Sequence, residues 1–127
     1  MAGIWGDVEK VGVAAYCGAF QAMFALKREF TAAADGSVGD WVVDEVKPAF
    51  LADIGVKFDS VTPPNSLTVT IKDIDGLQVA QETFAASGRL VIDDRPSLIG
   101  GGTISLSGNT TNGAMAKIVL NFSNNLR

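Results

Sequence analysis

From Leu51 to Phe122, apolar and polar positions alternate with a period of two. That is the pattern of strands with one buried and one wet face. Ile54, Val56 and Phe58 alternate with Asp53, Gly55, Lys57 and Asp59. The segment Thr62-Pro63-Pro64-Asn65-Ser66 ends this strand, because proline cannot feed a ladder. Leu67, Val69 and Ile71 then alternate with Thr68, Thr70 and Lys72. Asp73-Ile74-Asp75-Gly76 predicts a turn, and a third strand follows from Leu77 to Gln81. Ala85-Ala86-Ser87-Gly88 is a further turn, Arg89 to Ile92 a short strand, and Asp93-Asp94-Arg95-Pro96 a loop. After Gly100-Gly101-Gly102, Ile104 and Leu106 alternate with Thr103, Ser105 and Ser107. Asn112-Gly113, a favoured hairpin dipeptide, predicts a tight turn into a last strand around Ile118, Leu120 and Phe122.

The N-terminal third is less regular. Phe24, Leu26 and Phe30 fit a strand, Asp35 to Gly39 a turn, and Trp41 to Val46 another strand ended by Pro48. Residues 8–22 fit both periods. Val13, Tyr16, Phe20 and Phe24 have helical spacing, while Tyr16, Gly18, Phe20, Ala22, Phe24 and Leu26 have period two. Gly12 and Gly18 each cost a helix about 1 kcal/mol, which favours strand. Short strands with turns at this spacing predict a mostly β fold: an antiparallel β-sandwich or barrel-like domain with an extended N-terminal segment. Residues 1–127 form one domain, with 1–22 as an N-terminal arm or first strand.

Composition narrows the chemistry. Fourteen acidic against ten basic residues give a net charge of −4. The cations are scattered, so no basic stripe offers itself to phosphates, and nucleic acid is not an expected partner. There is no histidine, which removes Ser-His and Cys-His catalysis and the main nitrogen ligand of zinc sites. Cys17 is the only cysteine and reads as a small core residue. The uncharged stretch from Gly12 to Leu26 is short for a membrane span, and Asp7 and Glu9 precede it where a signal peptide carries positive charge. A cytoplasmic product without a targeting signal is expected.

Several motifs have plain readings beside sharper ones. Asp73-Ile74-Asp75-Gly76 matches the start of a calcium loop but lacks the distal bidentate Glu, so a hairpin turn is expected. Asp44-Glu45 and Asp93-Asp94 read as solvated strand ends and loops rather than an acid/base pair. Gly100-Gly101-Gly102 precedes a strand, not a helix, and so is not a phosphate loop. Trp5 and Trp41, with Tyr16, suit core or subunit contact and, alternatively, a sugar-stacking platform. No catalytic, cofactor-binding or metal-binding residues are expected, and no enzymatic activity.

The pattern from Gly55 to Phe122 resembles small virion proteins of tailed bacteriophages. The residues that carry it are Val56-Lys57-Phe58, the Thr62 to Ser66 break, Leu67 to Asp73 with its Ile74-Asp75-Gly76 turn, Ser105 to Asn109, Asn112-Gly113-Ala114 and Lys117 to Leu120. The resemblance implies a structural part in a phage particle made in the host cytoplasm and located in the virion. A capsid decoration (cement) protein comes first and a neck or tail protein second. The implied partners are further copies, as a dimer or trimer, and the major capsid or other virion proteins. A carbohydrate- or receptor-binding module is the reading from another class, and it requires Trp5 or Trp41 exposed beside polar groups. The candidate interface residues are Trp5, Tyr16, Phe20, Phe24 and Trp41. The segment from Val11 to Leu26, apolar and uncharged, is the expected assembly element.

Overall fold

The computed structural model describes residues 3–13, 23–44, 50–98 and 100–123. These form ten strands and, among the described residues, no helix: β1 (Ile4–Trp5), β2 (Glu9–Val13), β3 (Met23–Thr31), β4 (Trp41–Val43), β5 (Phe50–Phe58), β6 (Leu67–Asp73), β7 (Gln78–Phe84), β8 (Gly88–Val91), β9 (Gly102–Ser107) and β10 (Met115–Ser123).

Two antiparallel sheets pack face to face. The first has the order β3-β10-β5-β8, with β1 and β2 lying one after the other along the free flank of β3. The second has the order β4-β9-β6-β7. From β3 onward every step changes sheets except the β6–β7 hairpin. This interleaving of the eight strands β3 to β10, four in each sheet, is the jelly roll, a double-sheet sandwich to whose first sheet β1 and β2 are added.

The alternation read from the sequence becomes the core directly. Phe30, Trp41, Leu51, Ile54, Ile71, Ile104, Ile118, Leu120 and Phe122 are each at most 2% exposed. Full burial of one such side chain contributes about 1.5–3 kcal/mol. Strict period two fails once inside this set. Leu51 and Ile54 both face inward although three residues apart, because Leu51 pairs with Phe122 while Asp53 pairs with Asn121. Ala52 is the extra residue of a β-bulge.

Three expectations are corrected. Asn112-Gly113 does not join a hairpin: β9 lies between β4 and β6, and β10 between β3 and β5, in different sheets. The local turn is real, with Gly113 at φ 67°. The dipeptide reports backbone shape, whereas the neighbour of each strand is decided by which flanks are already paired. The strand expected over Trp41 to Val46 is the three-residue β4, and exposed Asp44 follows it; Pro48 lies outside the described residues. The third strand runs on to Phe84, beyond the expected Gln81.

The triple glycine lets three strands converge. A Cβ on Gly101, at φ 101°, would lie 2.2 Å from the Val43 carbonyl oxygen, and one on Gly102 would lie 2.4 Å from that of Lys72. The close approach is therefore between β4, β6 and β9 of this chain.

Candidate interaction surfaces

The two tryptophans meet at one end of the sandwich. Trp41 is 2% exposed, and Trp5, half-buried, packs edge-on against Phe30 at 5.6 Å and beside Trp41 at 5.5 Å. Trp5 Nε1 donates to the Gly39 carbonyl at 2.7 Å. The Arg28 guanidinium sits 5.4 Å from the Trp5 ring and 5.7 Å from that of Trp41, within cation–π range, and its Nε donates to the Gly6 carbonyl at 2.6 Å. These contacts, with Gly6 N donating to Glu29 O at 2.8 Å, hold residues 3–13 along β3. Trp41 has no face to offer a sugar or a neighbouring subunit, which corrects its place among the interface candidates. Sequence reading missed Arg28, because its strand position gave no sign that a cation would cover two indoles.

Tyr16, Phe20 and Cys17 lie outside the described residues, as does most of the apolar stretch in which residues 8–22 fitted both periods. Its described flanks are strand: Val11 in β2 and Phe24 in β3, where the Phe24 backbone stands between those of Gly12 and Phe122. Ala25 and Leu26 are buried in this chain, and Val11 is 46% exposed.

The outer face of the first sheet carries a shallow trough of 540 Å³. One cross-strand row explains it: Lys27, Val119, Gly55 and Arg89 stand side by side on β3, β10, β5 and β8. Gly55 has no side chain, so the row is hollow at its centre, floored by Val119 and Ala25. Lys27, Lys57 and Arg89 rim it, and no carboxylate lines it. Lys57 stands opposite Lys117 across β5 and β10, a like-charged pair that costs stability. Lys117 is drawn off to Glu29 at 3.6 Å. Arg89 approaches Asp53 at 3.9 Å, and Asn121 also donates to Asp53. The signal in the sequence was Gly55 itself, placed on the wet face of an otherwise regular strand.

The outer face of the second sheet is different: a lattice of Thr68, Thr70, Thr83, Ser105 and Ser107 in cross-strand register. The hydroxyls of Thr68 and Thr83 share a hydrogen bond at 2.8 Å, and Gln81 Nε2 donates to Thr70 Oγ1 at 2.8 Å. At the edge of this sheet, Glu82 folds its carboxylate back to accept from Thr83 N at 3.1 Å, which blunts β7 against strand addition. The other sheet edges are three-residue β4, four-residue β8 and the interrupted β1–β2 pair.

The β6–β7 turn is held from within. Asp73 Oδ1 accepts from Asp75 N and Leu77 N, both at 2.9 Å, and Gly76 N donates to the Asp73 carbonyl at 3.0 Å. One carboxylate of the suspected calcium loop is thus occupied in shaping the turn. The apolar side chains between and beside the carboxylates point outward, Ile74 at 64% and Leu77 at 66% exposed.

At the opposite end, the exposed Asp35 carboxylate accepts from Ser37 Oγ at 2.7 Å and Ser37 N at 3.0 Å. The Ser37 hydroxyl first, then its backbone N–H, hold this carboxyl below the usual carboxylate range.

No protein-family model matches the chain. No curated protein matches it either. A chain of the disulfide-linked pili that Bacillus endospore appendages form is similar in structure, with a TM-score of 0.50 and 15% identity over 91% of this chain and 100% of that one. The family 11 carbohydrate-binding module of the cellulosomal cellulase Lic26A-Cel5E of Clostridium thermocellum aligns with a TM-score of 0.30 and 14% identity, over 93% of this chain and 85% of that one. The first likeness speaks to the fold alone.

Proposed function

We propose that this jelly roll is a non-enzymatic structural subunit that packs against neighbouring chains on more than one side. The observation that carries this reading is the distribution of exposed apolar side chains. Ile4, Val8, Val11, Val42, Val61, Ile74, Leu77 and Val91 are between 45% and 85% exposed, at both ends and on both sheets. Scattered singly they would need no explanation. Here Ile74 and Leu77 share one turn, and Val11 lines the trough on the first sheet. Packed neighbours would cover all of them.

The fold likeness to a pilus chain supports a building-block reading. A disulfide-linked polymer is a poor fit, since Cys17 is the only thiol in these 127 residues and one thiol joins at most a pair. The resemblance to virion proteins makes the finer reading a tailed-phage particle, with the domain as a capsid decoration protein and a neck or tail protein as its alternative. The carbohydrate reading would rest on Trp5 alone, since Trp41 is core and Trp5 is half-buried with Arg28 over its ring.

The test is hydroxyl-radical footprinting of the free chain against the chain in its particle. Protection of Val42, Val91, Ile74 and Leu77 on assembly is expected. Equal labelling of all four in both samples would overturn the reading.

A further inference from the structure

We infer that the β6–β7 turn of one copy docks into the trough on the first sheet of a second copy. This inference rests on the structural-subunit reading and names its partner. The trough is apolar at its floor and cationic at its rim, where Arg89 has Asp53 beside it, Lys27 has Glu9 beside it in register, and Lys57 faces Lys117, in a chain whose net charge is −4. Its occupant therefore presents apolar groups flanked by negative charge. Asp73-Ile74-Asp75-Gly76-Leu77 presents the exposed Asp75 carboxylate, two exposed apolar side chains and no cation, while the Asp73 carboxylate holds the turn from within. The turn is already rigid through the Asp73 hydrogen bonds, so little freedom is lost on docking.

Lys117 is engaged by Glu29, so an incoming carboxylate meets Lys57 on the trough rim. Turn and trough lie on different sheets of the same molecule, so one copy cannot satisfy itself. The contact is heterologous: the copy that gives its turn keeps a free trough, and the copy that receives it keeps a free turn. Repetition closes into a symmetric ring or runs on as a filament.

Sedimentation velocity of the purified full chain, across concentration and salt, tests this. The expected result is mass that rises with concentration and falls as salt approaches about 1 M, where the Debye length is about 3 Å. Asp75→Lys and Gly55→Phe each abolish the rise. The Gly55 position accepts a side chain without strain, since a Cβ there would lie 3.6 Å from Val119 Cβ, an ordinary contact. Lys57→Glu is the second rim variant should Gly55→Phe fail to fold by circular dichroism. Joining Lys57→Glu to Asp75→Lys in one chain restores association. A wild-type chain that stays monomeric up to about 1 mM overturns the inference and leaves the structural-subunit reading standing. Association unchanged by Asp75→Lys and the rim variants overturns this contact while supporting assembly through another surface.

Discussion

Asn109 Nδ2 donates to the Gly36 carbonyl oxygen at 3.0 Å, joining loops 73 residues apart in the chain. The same side chain donates to Thr111 O at 3.3 Å and accepts from Asn65 N and Thr111 N at 3.3 and 3.1 Å. Asn65 Oδ1 in turn accepts from Thr110 N at 2.8 Å. Three sheet-changing loops are thereby tied at one end of the sandwich. Asn109 is only 8% exposed, so unmaking these bonds strands buried backbone groups. Asn109→Ala is expected to lower stability by about 1–3 kcal/mol in urea unfolding. Gly36→Ala should cost at least as much, since its Cβ would fall 2.4 Å from Asn109 O at φ 87°. Because both changes break one contact, their double mutant should be less destabilised than the sum. Strict additivity would refute the latch.

Trp41→Ala is expected to cost about 3–5 kcal/mol, the range for emptying a buried aromatic site. Trp5→Ala should cost less, since Trp5 is half-buried. A Trp41→Ala chain that melts like wild type would contradict the core placement.

Within the β6–β7 turn the two carboxylates should behave differently. Asp73→Ala removes the acceptor of two backbone N–H groups and should destabilise by about 1 kcal/mol. Asp75→Ala should stay within about 0.5 kcal/mol, as exposed substitutions do. Excess calcium should leave the melting temperature unchanged. A rise abolished by Asp75→Ala would mean the turn binds the ion.

The Asp35 carboxyl titrates low because Ser37 donates to its charged form. A depressed folded value means that its stabilising contribution is complete above the ordinary 3.8 and is lost as pH falls through the lowered value. A carboxyl-detected NMR titration should place Asp35 below 3.8 and move it upward in Ser37→Ala. Titration at or above 3.8 in the wild type would contradict the hydrogen-bonded geometry.

Much of the sandwich was legible because burial on one face imposes period two on each strand. Val56, Leu67, Val69, Ile71, Ile104, Ile118 and Leu120 all face the core as their alternation required. The partners of the strands were not legible. Asn112-Gly113 carries a hairpin code, yet β9 and β10 sit in different sheets, since pairing is settled by long-range flanks. The bulge at Ala52 was invisible for a related reason: it is needed only once β10 is the neighbour. The trough was hidden too. Lys27, Lys57 and Arg89 lie on three strands and become neighbours only across the Gly55 row. Trp41 misled because an aromatic in sequence reads equally as core and as contact.

The central claim is that this domain is a structural member of a larger particle. Quantitative mass spectrometry of gradient-purified particles from the cells that encode it tests this most directly. The account predicts peptides of this chain at a fixed ratio to the most abundant particle protein, in high copy for capsid decoration and as a small ring for a neck or tail part. Its presence in those cells together with its absence from the particles would contradict the account.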